Sequence, residues 1–471
     1  MRIPLPAAAV VLMVASCAAP LSEPGAEAIY AKTENLDRSP GWEGVRNRLI
    51  PKECPKISQD FGFSRTNFAG AAAGEIGGQV WRSTTPAHCA ERIAARTLND
   101  RLEASGTFAL VKSSGSSGVF FGWFDPRCHG FRPANFLGIR LDGEDWGARV
   151  FVEYVTGTWK AGGANTGVRI PPDGSKHTWS LSYDPAAANG NGAITFILDG
   201  GPPLVRELDP GHRAEGATFT RFGMFNVQIP GGPMTVYFDD LQYDGKKQDF
   251  AADGRWEGWG NRRTFEDCER DDSQNFGFSN TNHAGGARGE SGGTFWRTEP
   301  DSPHDGHYAD RIGPLSLEDR LLASGRVAMT RACADSGMYL GWFNSATRDA
   351  VPSNFVGIVI EGPSRVGHYF RVRYGTSQGQ GGDSKTGPVL MADGKSHLWT
   401  LEYDPQANGG SGRIVAALDG KRVALDAAPG HKQQGAAFDR FGMFNMRRGG
   451  HYVTVYFDDL KYTAGSQGRT R

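Results

Sequence analysis

The chain is written twice. Gly41-Trp42-Glu43-Gly44 with Asn47-Arg48 returns as Arg255-Trp256-Glu257-Gly258 with Asn261-Arg262, a shift of 214 residues. Phe61-Gly62-Phe63-Ser64 and Trp81-Arg82 return at 215 as Phe276-Gly277-Phe278-Ser279 and Trp296-Arg297. Arg221 to Asn226 and Val236 to Leu241 return at 219 as Arg440 to Asn445 and Val455 to Leu460. Solenoid repeats run ~20 to 50 residues, so a period this long is a duplication of whole domains.

Within each copy, runs of five to nine residues alternate large apolar and polar side chains. His177-Thr178-Trp179-Ser180-Leu181-Ser182-Tyr183 keeps its parity in His397-Leu398-Trp399-Thr400-Leu401-Glu402-Tyr403, the period of a half-buried strand. Asn189-Gly190-Asn191-Gly192, Asp199-Gly200 and Asp419-Gly420 punctuate these runs with residues that tolerate positive φ. Gly is 65 of 471 residues and there are eleven Trp, which suits short strands and tight turns and excludes a mostly helical chain. Helix is expected only around Thr97 to Ala104 and Leu315 to Ala323. Many antiparallel strands with one apolar face each must bury those faces against one another. The chain is therefore expected to be all-β, two tandem antiparallel β-sandwiches. The expected division is 1–17 signal peptide, 18–36 flexible tether, 37–247 first sandwich, 251–464 second sandwich and 465–471 disordered tail.

Met1-Arg2 followed by a mostly apolar run to Val14 reads as an export signal, too short to span a bilayer as a mature helix. Its end, Val14-Ala15-Ser16-Cys17, resembles the lipobox of bacterial lipoproteins, which implies lipidation of Cys17 and an anchor in the cell envelope, at the outer membrane or cell surface. The alternative is an ordinary secretory peptide, with Cys17 discarded and the protein secreted or periplasmic. Beyond Cys17 the chain has Cys54, Cys89, Cys128, Cys268 and Cys333, an odd number, so at least one is unpaired and the pairing stays open. With 51 Lys+Arg against 52 Asp+Glu, the formal net charge of −1 offers no positive excess with which to grip a nucleic acid or an anionic membrane.

The closing strand Tyr-Phe-Asp-Asp-Leu-x-Tyr, preceded by Arg-Phe-Gly-Met-Phe-Asn, resembles the jelly-roll, concanavalin A-like sandwiches used as lectin, glucanase and carbohydrate-binding modules. The resemblance covers nearly the whole mature chain at the level of fold and strand rhythm, and it implies a polysaccharide or glycan as partner. Fold alone assigns no activity.

Trp81-Arg82 and Trp296-Arg297 are the recognition candidates, because sugar C–H faces stack on aromatic rings and Arg donates in a fork. Arg92 and Arg311 are further candidates, and the competing role for each Trp is to anchor a loop. The adjacent acids Asp239-Asp240 and Asp458-Asp459 must point to opposite faces of a strand, which buries one of each pair. A structural Ca²⁺ held by these four residues is one solution; hydrogen bonds from the backbone, Arg221 or Arg440 are the other. The Glu-x-Asp-x-(x)-Glu strand of the sandwich glucanases is absent. A lyase using His177, His397, His212 or His431 as base is weighed against structural roles for all four. The leading expectation is a membrane-anchored carbohydrate-binding lipoprotein. The alternatives are a polysaccharide lyase or glycosidase, and a non-catalytic envelope protein that contacts other proteins.

Overall fold

The computed structural model describes residues 29–465 except 129, 270–272, 348, 350 and 363–366. The signal peptide, Cys17 and residues 466–471 of the expected tail lie outside the described residues.

Strand parity sets the architecture. In the first sandwich one sheet runs Ala161–Ile170, Gly147–Val155, Phe136–Glu144, Ser117–Phe124, Thr218–Asn226, His88–Thr97 and Glu257–Trp259. Its partner runs Leu204–Glu207, Ala193–Leu198, Lys176–Asp184, Leu102–Lys112, Pro233–Tyr243, Glu75–Trp81, Lys56–Ser64 and Arg262–Glu266. Alternate residues Phe121, Trp123, Leu137, Ile139, Val152, Trp179, Leu181 and Phe238 fill the space between them. Phe121 and Phe238 stack from opposite sheets with centroids 4.0 Å apart. The second sandwich repeats both sheets, and among the described residues Gly313 pairs with Gly465 to join their edges. The all-β tandem expectation therefore holds, as does the turn chemistry: Asp199 and Asp419 sit at φ 51° and 48° ahead of their glycines.

Three expectations need correction. The segments read as short helices are tight turns between strands. Thr97 N–H and Oγ1 both donate to Asp100 Oδ2, at 2.8 and 2.9 Å, and Ser316 repeats this with Asp319. These local side-chain bonds outcompete a helical start. Ile29–Glu34, placed by the sequence in a flexible tether, is a strand, in register with the chain's last strand from Ile29 against Gly465 to Glu34 against Leu460.

The third correction concerns the halves themselves. Glu43–Val45 pairs with His307–Ser316, and Arg48–Leu49 with Gln274–Ser279, so the head of the first repeat completes the second sandwich. The head of the second repeat, Glu257–Trp259 and Arg262–Glu266, completes the first. Trp42 accordingly packs on Tyr308 and Tyr462, and Trp256 on Phe222, Tyr243 and Phe250. The boundaries 37–247 and 251–464 thus do not coincide with the sandwiches. Each repeat's head serves the other repeat's sandwich. Cys54 and Cys268, equivalent positions of the two repeats, form a disulfide between the crossover segments. Cys89, Cys128 and Cys333 are free thiols.

The sandwiches also touch directly. Tyr452 donates to Gln228 O at 3.0 Å and Trp159 meets His368 edge-on at 5.5 Å. At Gly130, φ +117°, a Cβ would stand 1.5 Å from Ala332 O, so this approach requires glycine.

Candidate functional site

Trp81 ends the strand Glu75–Trp81, and its backbone is fixed by a side-chain fork. Gln59 Nε2 donates to Trp81 O at 2.9 Å while Gln59 Oε1 accepts Trp81 N–H at 2.8 Å. Gln274 grips Trp296 in the same way. The following loop is pinned by the Asn that closes the Arg-Phe-Gly-Met-Phe-Asn run: Asn226 donates to Ser83 O and Thr85 O and accepts from Ala87 N–H. Neither Gln59 nor Asn226 is a site residue in the sequence reading, although both recur at the repeat shift.

A cavity of about 610 Å³ opens beside the half-buried Trp81 ring, walled by Arg82, Ser116, Gly231, Asp267 and Glu269. Asp267 and Glu269 flank Cys268, and Pro55, which also lines the cavity, follows Cys54. Asp267 accepts from Ser83 Oγ at 2.7 Å and from Glu269 N–H at 3.1 Å, and burial raises its carboxyl above the usual range. Glu269 is held by Arg331 at 2.5 and 2.9 Å. The cavity offers an aromatic face, a hydroxyl, backbone groups and two carboxylates already fixed in place.

The structure brings together only part of the predicted set. Arg82 is 8 % exposed and its guanidinium is engaged by Asp142. Trp296 is 0 % exposed, packed at 5.1 Å from Tyr452, and Arg297 is buried against Glu361 at 2.8 Å and Ser336 O at 3.0 Å. The second corner is therefore an anchor and presents no ring to a ligand. Arg92 and Arg311 belong to neither corner. Arg311 pairs with Glu43 at 2.6 Å and Arg92 with Glu257 at 3.5 Å, which ties the exchanged head strands to their hosts. Arg440 and Arg221 bond these same glutamates, at 2.8 and 3.1 Å, and not Asp458-Asp459 or Asp239-Asp240 as the sequence suggests.

Asp239 and Asp458 are buried while Asp240 and Asp459 turn outward. Asp240 and Asp459 take φ 49° and 51° where the strand register slips, a conformation Asp tolerates. A Cβ on Gly70 or Gly285 would fall 1.6 Å from the buried carboxylate of Asp239 or Asp458. Desolvation raises Asp239 to about 7 and Asp458 to about 6. The charged groups acting on them are acidic: Asp240, Glu75 and Asp249 in one copy, Asp459, Glu290 and Asp37 in the other. Among the described residues no three acids, histidines or cysteines converge as a metal shell.

The histidines hold turns. Tyr154 Oη lies 3.0 Å from His212 Nδ1 and accepts Asp209 N–H, and Tyr374 repeats this with His431 and Ala428 N–H. His177 and His397 pair with the hairpin acids Asp199 and Asp419 at 2.7 and 2.6 Å.

No family model matches the chain, and no curated protein does. Among solved structures it is similar to domains LG4-5 of the mouse laminin alpha1 chain, at 11 % identity over 88 % of this chain and 93 % of that one, with a TM-score of 0.26. It is similar to an endo-beta-1,4-glucuronan lyase from the fungus Trichoderma reesei, at 13 % identity over 45 % of this chain and 94 % of that one, TM-score 0.27. The carbohydrate recognition domain of Emp47p matches at 12 % identity over 41 % of this chain and 89 % of that one, TM-score 0.27. The fold assignment rests on the strand pairing described above.

Proposed function

We propose that the protein is an exported, lipid-anchored glycan-binding protein of the cell envelope, and that it binds through the cavity beside Trp81. The observation that carries this reading is the Trp81 ring beside fixed hydrogen-bonding groups in a cavity of about 610 Å³. An aromatic wall stacks on a sugar ring, while Ser116, Asp267 and backbone groups take its hydroxyls. Asp267 and Glu269 make the cavity unfavourable for a uronate and suited to a neutral or amino sugar. The test is calorimetric titration of the mature protein with neutral and acidic oligosaccharides, with Trp81→Ala alongside. Binding of a neutral sugar, lost by about tenfold in the variant, supports the reading. Indifference to every neutral and amino sugar removes it.

The anchor belongs to the same reading and rests on the Val14-Ala15-Ser16-Cys17 sequence alone. Its test is detergent-phase partition and fatty-acid labelling of the wild type against Cys17→Ser. A calcium ion at Asp239 and at Asp458 is likewise part of the proposal; the acids acting on each buried carboxylate speak for it, and the lack of three converging ligands among the described residues speaks against it. There the ion would supply charge neutralisation and a structural tie, with no chemical step.

A hydrolase reading has one feature in its favour: two acids share the cavity, and one has a raised pKa. Release of reducing ends that stops in Asp267→Asn would favour it over simple binding.

A further inference from the structure

The two repeats differ in charge on the outward face of one sheet. Along His368–Gly375, Phe370, Val372 and Tyr374 point into the core, so Arg371 and Arg373 point outward. The same parity turns Glu361 and Tyr339 outward from the neighbouring strands, with Phe343, Phe355 and Phe444 beside them. In the first repeat the positions of Arg371 and Arg373 are occupied by Phe151 and Glu153. That face is more sparsely charged: Arg140 bonds Glu153 at 3.0 Å and Asp142 at 2.6 Å, while Arg82 shares Asp142 and Arg132 lies 3.7 Å from Glu153, so three arginines meet two carboxylates.

The second face carries the larger excess of cations. Glu361 is shared by Arg297, Arg371 and Arg448, and Asp383 by Arg371, Arg373 and Lys385. Asp335 also acts on Arg297. Five cations thus meet three carboxylates among the described residues. Three of the arginines are at least nine-tenths buried, with Arg297 and Arg373 at 8 % and Arg371 at 9 % exposure. The Nε–H of each is buried without a hydrogen-bond partner. Burial lowers the Arg297 pKa to about 10 and that of Arg371 as well, with Arg448 adding repulsion in both cases. Concentrating like charges out of water and leaving donors unmade is costly unless an anion supplies the missing acceptor. Guanidinium groups match carboxylate and sulfate oxygens in a bidentate fork. Arg448 and Lys385, with side chains 49 % and 86 % exposed, form the solvent-facing rim.

We propose that this face of the second sandwich is a binding site for an oxyanion group, a carboxylate or sulfate carried by a ligand. It is distinct from the Trp81 cavity, and does not depend on that cavity's binding a sugar.

The test is calorimetric titration of the full chain with sodium sulfate, galacturonate, polygalacturonate and neutral dextran. The exposed-rim variant Arg448→Ala/Lys385→Ala and the outward-face variant Arg373→Gln are titrated beside the wild type, with thermal unfolding confirming that each folds. The expected result is binding of at least one anionic probe and none of dextran, weakened by about tenfold in the rim variant and falling with added sodium chloride. Sulfate alone against polygalacturonate separates a sulfate site from a uronate site. Absence of binding by all three anions overturns the proposal, as does anion binding that both variants leave unchanged. Trp81→Ala should leave anion affinity as it is, so failure of the glycan reading does not count against this one.

Discussion

The corners at Trp81 and Trp296 share their sequence, their glutamine fork and their asparagine pin, yet one opens on a cavity and the other is sealed. The difference lies across the strand pair. Trp81 stands opposite Pro233, whereas Trp296 stands opposite Tyr452, whose ring covers it and whose hydroxyl reaches the other sandwich. Arg331 then lies over the Tyr452 ring at 5.3 Å. Duplication kept the scaffold and let one cross-strand neighbour decide between an open cavity and an interdomain joint.

The largest expected effect comes from removing the sealed ring. Trp296→Ala should destabilise the protein by about 3–5 kcal/mol, because it empties a fully enclosed site. Trp81→Ala, at a half-solvated ring, should cost under about 2 kcal/mol while losing glycan affinity; urea unfolding of both variants measures the contrast. Equal costs would show that the two corners are alike. Next in size is the Cys54–Cys268 bridge: Cys54→Ser should lose about 2–4 kcal/mol, matched by Cys268→Ser and not exceeded by the double variant. Unfolding with and without reductant checks this.

The buried aspartates let the copies be compared by pH. Each has a folded pKa above its unfolded value, so without a cation the stability they supply is complete below about pH 4 and is lost as pH rises. The loss is finished through about 6 for Asp458 and about 7 for Asp239. Asp239→Asn should flatten the upper part of that slope in thermal unfolding. Bound calcium reverses the sign, since it needs the ionised carboxylate. EDTA should then lower the melting temperature above pH 7, and Asp239→Asn should remove part of the effect. The smallest change is expected at Arg311→Ala, because its pair with Glu43 is exposed and screened by solvent. Chemical denaturation in low and high salt would register it, if at all, only at low salt.

Much of this was legible in the residues. Parity in His177 to Tyr183 predicts which side chains enter the core, and Asp-Gly marks the hairpins, because both signals are local. Which repeat receives the head strands was not legible. The pattern of Glu43 to Leu49 says that a strand exists, and an edge strand pairs equally well with either copy. The Trp-Arg corners looked equivalent because their flanks are equivalent. Telling them apart requires knowing that residue 233 or 452 lies across the sheet. The basic face could have been found by comparing the copies, Phe151 with Arg371 and Glu153 with Arg373, but only after strand register aligned them past the insertions.

The bridge between Cys54 and Cys268 joins a position to its own counterpart. A bond of that kind crosses the axis that relates the two halves, and the reciprocal lending of head strands obeys the same symmetry. A chain carrying one unit alone would therefore find in a second identical chain everything it lacks, and would assemble as an isologous homodimer stapled by a single intermolecular cystine. The duplicated chain carries that arrangement as one covalent thread, which leaves its two faces free to diverge.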